Sequence, residues 1–291
     1  MGKIAYVNGA YLPHDRASIH IEDRSVQFAD SIYEVVACIN GKLADERGHL
    51  DRLERSLKAL KIAMPVSREA LQIIMRHIIR VNKFKSAAIY IQISRGSAKR
   101  DFKMPRAGDA QPALIVYGWA FDFTLKPEHL NGLSVQSTLD QRWARRDIKT
   151  TQLLAQSLIK QNAIDAGYND AWMLDENGYV NEASSSNVWI LKGRSLYTRN
   201  ADKNILKGVT RTAIASVVEA LQLNVEESTF TPAEAQAADE AFQSSATSLV
   251  VPVTSVDGKP VGNGKVGNVT QQILQTYIDY VNAGEPIAWT E

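Results

Sequence analysis

The sequence predicts an α+β protein built as two domains. Three observations carry this. Short apolar runs turn back at Asn-Gly pairs. Between them, leucines and isoleucines recur at three- and four-residue spacings. The length, 291 residues, is more than one ordinary core accommodates. Residues 3–7 and 10–12 flank Asn8-Gly9, a pair that accepts the positive φ of a two-residue hairpin turn. The run 32–39 meets Asn40-Gly41 and returns over 42–44. Leu50, Leu53, Leu57 and Leu60 then mark one helix face, and Leu71, Ile74, Met75 and Ile78 a second, starting near Ser67. Strands follow at 89–93 and 113–117. Residues 120–125 lack periodicity and serve as the linker between a small domain, 1–119, and a larger one, 126–291.

In the second domain the pattern predicts a strand at 133–137 and a helix over 152–166 closed by Gly167. Strands at 170–175 and 179–182 surround a Glu176-Asn177-Gly178 turn. A strand at 187–191 returns by a hairpin to Tyr197. A helix after Thr210 carries Ala213, Ile214, Val217 and Leu221, and a last helix runs over 269–281.

Composition excludes several classes. With 33 basic and 32 acidic residues the net charge is +1, so there is no basic excess to bind nucleic acid or a membrane surface. No apolar run approaches ~18 residues, and a cytoplasmic protein is expected. The single cysteine, Cys38, sits in an apolar run and reads as a buried, inert thiol. The five histidines show no ligand spacing, so no metal is expected. Gly262-Asn263-Gly264-Lys265-Val266-Gly267 matches the dinucleotide fingerprint by letter. It lacks the preceding buried strand and the chain needed for a βαβ unit, and reads as a glycine-rich loop. Ser184-Ser185-Ser186 has no histidine nearby and no nucleophile elbow around it.

Three stretches carry chemistry together. Lys149, in Asp147-Ile148-Lys149, lies at an element end. A lysine made neutral by burial or by a neighbouring cation can attack a carbonyl. Glu182, in Asn181-Glu182-Ala183, offers a strand-end carboxylate able to keep a pyridine nitrogen protonated. Gly208-Val209-Thr210 opens a helix with bare N–H groups and a hydroxyl for a phosphate, although an ordinary N-cap by Thr210 explains the same residues. Arg52 offers a further phosphate ligand, or simply a solvated helix face. An amine, an acid and an anion-binding helix start are what pyridoxal 5'-phosphate requires.

Further motifs stand in order along nearly the whole chain. These are the stretch from Asp23-Arg24-Ser25 through Tyr33-Glu34-Val35, then His49-Leu50-Asp51-Arg52-Leu53, Asp147-Ile148-Lys149, Asn181-Glu182-Ala183-Ser184-Ser185-Ser186-Asn187-Val188, Ile205-Leu206-Lys207-Gly208-Val209-Thr210-Arg211 and Ser244-Ser245-Ala246-Thr247-Ser248. In these the chain resembles the class IV, fold type IV pyridoxal-phosphate aminotransferases, most closely their D-amino acid branch. The resemblance implies a smaller N-terminal α/β sandwich and a larger, β-barrel-like C-terminal domain with helices. It implies Lys149 as the aldimine-forming lysine and proton carrier of a ping-pong transamination between a D-amino acid and a 2-oxo acid. Glu182 is then the pyridine-nitrogen partner. Arg52, Val209 and Thr210 are phosphate ligands, and Leu206 packs on the ring. Tyr33 and Arg100 hold the substrate carboxylate. Arg100 reaches over from a second subunit, so a homodimer is implied. Two departures stand out. Phe102 replaces the histidine usual beside Arg100. Ala246 replaces a phosphate-binding threonine, leaving Thr247 or the loop backbone to compensate. Branched-chain L-amino acid and (R)-amine transamination, or aminodeoxychorismate cleavage, use the same parts. A non-catalytic scaffold is the alternative of another class.

Overall fold

The computed structural model describes residues 3–106, 108–123 and 125–284. They form two compact units. One holds the described part of Met1–Phe123 together with Ile148–Gln152, the other that of Thr124–Asp147 with Leu153–Ala283.

The first unit contains β1 (Ile4–Val7), β2 (Ala10–Pro13), α1 (Arg24–Phe28), β3 (Ser31–Ile39), β4 (Lys42–Leu43), α2 (Glu46–Leu60), α3 (Arg68–Val81), β5 (Ala87–Ser94) and β6 (Ala113–Ala120). Its antiparallel sheet runs β2-β1-β6-β5-β3-β4. Asn8 and Gly9 both take positive φ, as the two-residue hairpin requires. Alternation decides the faces. Ile32, Val36, Ile89, Ile91 and Val116 point one way and are buried with the leucine stripe of α2 and with Leu71, Met75 and Ile78 of α3. Tyr33, Tyr90, Gln92 and Tyr117 point the other way and are half-buried. Ser67 caps α3 by accepting from the Ala70 N–H.

The second unit contains α4 (Pro127–Asn131), β7 (Leu133–Leu139), α5 (Leu154–Asp165), β8 (Asp170–Leu174), β9 (Val180–Ala183), β10 (Asn187–Lys192), β11 (Ser195–Thr198), α6 (Val209–Val217), β12 (Asn224–Glu227), α7 (Pro232–Gln236), β13 (Glu240–Ser245), β14 (Leu249–Val256), β15 (Lys259–Pro260) and α8 (Asn268–Ala283). Its sheet runs β12-β11-β10-β13-β14-β7-β8-β9, with β15 on β14. The last strand of that order, β9, passes into the third, β10, through a turn closed by the Ala183 N–H on the Ser186 carbonyl at 2.9 Å, so the sheet curls on itself. Trp172, Val188, Ile190, Phe230 and Val253 fill its core.

One expectation of the fold is corrected. The helix predicted over 152–166 begins at Leu154. The residues before it are held extended against β3, where Thr150 bridges to Ile32 and the Thr151 N–H donates to the Ser31 carbonyl. Strands β12, β13 and β14 were not anticipated. The glycine-rich loop reading holds: Gly262 and Gly264 take positive φ after the β14–β15 hairpin. At the start of α8 the Glu240 carboxylate accepts from the Val269 and Thr270 N–H groups, so an acid already occupies the place a dinucleotide phosphate would take.

Candidate active site

In the first unit, Lys149 is fixed by its backbone. Its carbonyl accepts from the Tyr33 N–H at 3.0 Å, and its N–H donates to Ser56 Oγ at 3.5 Å. Its amine lies 4.3 Å from the centre of the Tyr33 ring. Among the described residues no carboxylate comes within ion-pair distance of that amine. Tyr33 stacks on Tyr90 at 5.7 Å, and the Tyr90 hydroxyl donates to Gln92 Oε1. Burial pushes the Tyr90 phenol well above its ordinary pKa.

Arg52 is no solvated surface residue. It is 9% exposed and grips the fully buried Glu34 through Nε and Nη2, both at 2.7 Å. His49, one helical step away, adds a 2.7 Å contact to Glu34 Oε2. Burial alone would raise the Glu34 carboxyl, but the charge and hydrogen bonds of Arg52, with His49, hold it down to about 2. The acid thereby fixes the orientation of the guanidinium.

Arg100 and Phe102 share the loop that follows β5. The Arg100 guanidinium lies 5.6 Å from the Phe28 ring and 6.0 Å from that of Phe102, and Phe102 is 83% exposed.

In the second unit Glu182 is 5% exposed on β9 and takes three donors. Arg142 Nη1 lies 2.6 Å from Oε2. The Leu206 N–H and Asn187 Nδ2 both donate to Oε1 at 3.1 Å. Asn187 Nδ2 also donates to the Leu206 carbonyl, so one amide ties Glu182 to the Leu206 turn. Burial pushes the Glu182 carboxyl above its ordinary value, the opposing pull of Arg142 falls short, and the neighbouring Asp140 adds to the rise. Asp140 binds Arg142 through Nε and Nη2 at 3.0 and 2.8 Å and accepts from Asn181 Nδ2 at 2.9 Å.

The turn bearing Leu206 leads into α6. Gly208 stands at its N-cap and no side chain caps it. Thr210, considered above as the cap, lies inside the first turn and is 3% exposed. A Cβ at Gly208 would lie 1.9 Å from Asn187 Oδ1 and would displace the amide that ties Glu182 to the Leu206 turn. Ala246 and Thr247 occupy the β13–β14 turn, just beyond Ser244, which pairs with Asn187. Glu182, Leu206 and Gly208 thus meet at Asn187, with Val209 and Thr210 next in the chain and Thr247 on the turn that follows its strand partner.

These residues suit pyridoxal phosphate on their own evidence. Glu182 retains acceptor capacity, since a carboxylate has about four lone-pair sites and three donors reach it. The uncapped α6 start offers N–H groups to an anion.

The class IV amino-transferase family model matches residues 31–256. The chain belongs to the class IV aminotransferases. It is 34% identical over 281 residues to the D-alanine aminotransferase of Staphylococcus aureus (strain COL), covering 96% of this chain and 98% of that one. It is 35% identical over 266 residues to that of Bacillus licheniformis, covering 91% and 93%. Its structure is similar to the branched-chain amino acid aminotransferase of Escherichia coli, with a TM-score of 0.91, 26% identity and coverage of 99% and 98%. The expected α+β, fold type IV architecture is therefore the one observed, and the enzyme is a pyridoxal-phosphate-dependent aminotransferase.

Reasoning from sequence left Arg142, Asp140, Asn187, Glu34 and His49 without roles. Of these, His49 carried a signal: His49, Arg52 and Ser56 recur at three and four residues beside the leucine stripe of α2, placing polar groups on a buried helical edge. Arg142 gave none, being one arginine among three within five residues.

Proposed function

We propose that the enzyme transaminates D-amino acids against 2-oxo acids by a ping-pong mechanism, as a cytoplasmic homodimer. The observation that carries the substrate assignment is full-length identity of about one third to D-alanine aminotransferases, together with Arg100. A cation fixed for an α-carboxylate has no task with a simple amine. The outward presentation of Phe102 beside Arg100 supports a second subunit as the recipient of that loop. The reading includes a small domain, 1–119, and a large one, 126–291, joined by 120–125. The division of the compact units at 123/124 supports that boundary, while Ile148–Gln152, assigned by this reading to the large domain, groups with the first unit.

Pyridoxal phosphate supplies an electron sink that makes the α-proton of a bound amino acid removable. Each residue then has a task. Lys149 would hold the cofactor through its amine, and that amine is the group placed to carry the α-proton. Glu182 stabilises positive charge on the pyridine nitrogen, with Arg142 anchoring the carboxylate. Arg52, the start of α6 at Val209 and Thr210, and Thr247 hold the phosphate, while Leu206 packs on the ring. Tyr33 and Arg100 receive the substrate carboxylate, with Phe102 lending an apolar wall. The wall and the likeness to the branched-chain enzyme favour a second reading, branched-chain L-amino acids.

The test is the absorption spectrum of the holoenzyme on titration with D-alanine, L-leucine and (R)-1-phenylethylamine in parallel. Loss of the visible band with D-alanine, with pyruvate formed, is expected. A band moved only by L-leucine or by the amine overturns the D-amino acid assignment. Lys149→Ala is expected to reduce turnover at least a thousandfold, on the order of what removing a covalent catalytic group costs.

A further inference from the structure

The loop carrying Arg100 and Phe102 is pinned by a buried arginine that has no place in the site described above. Arg24, on α1, is 3% exposed. Its Nε contacts Asp30 Oδ2 at 2.7 Å, Nη1 donates to the carbonyl of Asp101 at 2.9 Å, and Nη2 reaches Met104 Sδ at 3.8 Å. The Asp101 carbonyl belongs to the residue between Arg100 and Phe102. The Arg24 guanidinium also lies 4.3 Å from the centre of the Phe28 ring, the same ring that Arg100 approaches at 5.6 Å and that meets Phe102 edge-on at 5.8 Å.

The base of the loop is held by the same acid. Arg95 binds Asp30 through Nε at 2.7 Å and Nη2 at 3.0 Å, and donates to the carbonyls of Leu60 and Lys61 at the end of α2. Asp30, Arg24 and Arg95 are all at least nine-tenths buried. Burial opposes the Asp30 charge, but Arg95 and Arg24 outweigh it and hold the carboxyl below its ordinary pKa. Gly96, between base and tip, has φ +94°, and a Cβ there would lie 1.8 Å from the Gln111 carbonyl. The tip is ordered locally by Asp101 Oδ1 accepting from the Lys103 N–H. A planar fork is needed because one guanidinium joins an acid on its own side to a carbonyl on the loop. An ammonium is a point charge and cannot span both.

We infer that Arg24 is a positioning residue for substrate carboxylate recognition, acting through the Asp101 carbonyl and the Phe28 ring to fix Arg100. This rests on the reading of Arg100 as the carboxylate ligand. The experiment is a double-mutant cycle of Arg24→Lys and Arg100→Met. It is read in the single-turnover loss of the holoenzyme's visible band against D-alanine concentration, with band position and thermal midpoint recorded for each variant. Arg24→Lys is expected to raise the half-saturating D-alanine concentration roughly tenfold or more, since a ~1 Å misplacement can cost about a hundredfold. The limiting rate should stay within about twofold. The two substitutions should be strongly non-additive, the double variant matching Arg100→Met alone. A lowered limiting rate with unchanged half-saturation, or additive effects, makes Arg24 a purely structural residue and overturns the inference. An unchanged half-saturation in Arg100→Met alone instead removes the carboxylate reading, and the inference with it. If Arg24→Lys does not accumulate as holoenzyme, Phe28→Leu, which leaves the Arg24–Asp30 pair intact, takes its place in the cycle and the same outcomes decide.

Discussion

Glu34 and Glu182 make a close comparison. Each is a buried glutamate on a strand, each lies within 2.7 Å of a buried arginine, and each takes at least one further donor. Their carboxyls nonetheless move in opposite directions, Glu34 down to about 2 and Glu182 upward. The difference lies in how the arginine is shared. Arg52 closes a two-point fork on Glu34. Arg142 gives two nitrogens to Asp140 and one to Glu182, and the Asp140 charge repels the glutamate as well. A fully compensated acid is a structural anchor. A partly compensated one keeps an appetite for positive charge, which is what a partner of a protonated pyridine nitrogen needs.

The largest effect is expected from breaking the compensated pair. Glu34→Gln leaves Arg52 charged and buried, which should cost about 3–5 kcal/mol at neutral pH, measured by denaturant unfolding. The pH dependence has a definite sign. Because folding depresses the Glu34 pKa from its ordinary 4.5 to about 2, its contribution is full above ~5 and is lost as pH falls through that window. The stability gap between wild type and variant should therefore narrow from pH 5 to pH 2, and a constant gap would contradict the assignment. Next in size is Glu182→Gln. It removes the charge while keeping the shape, and kcat should fall by about 10²–10³-fold, the scale for one preorganised electrostatic partner. The fold should remain intact by circular dichroism.

The contrast between the two acids also shows what a sequence can and cannot reveal. Lys149 and Glu182 stand out in the sequence as candidates only through the ordered motifs around them, since a lone lysine or strand-end acid is ordinarily structural. The hairpins at Asn8-Gly9 and Asn40-Gly41 and the helices at 50–60 and 71–78 were legible from local turn chemistry and periodicity. The start of α5 was not, because the segment before it is decided by pairing with β3, more than a hundred residues away. The same holds for Arg142. Its spacing is unremarkable, and its task appears only when β7 and β9 bring Asp140 and Glu182 to either side of it. The partition of one guanidinium between two acids is a tertiary quantity with no local trace.

That partition can be changed without touching Glu182 or Arg142. Asp140→Asn keeps a hydrogen-bonding side chain of the same size beside Arg142 but removes the competing charge. The guanidinium then serves Glu182 undivided, and the repulsion that helps raise the Glu182 carboxyl disappears. Its pKa should fall toward the behaviour of Glu34. The ionised form is the one that supports a protonated pyridine nitrogen, so the acidic limb of the kcat/KM profile should move to lower pH than in wild type. The activity at neutral pH should change by no more than about tenfold, since the carboxylate is retained and only its partner's allegiance shifts. A limb that stays in place would mean that Asp140 merely holds Arg142 in position and that burial alone sets the Glu182 carboxyl. A limb that moves to higher pH would mean that Asp140 strengthens the Arg142–Glu182 contact more than its charge weakens it, and the sharing of one arginine would no longer explain why the two glutamates differ.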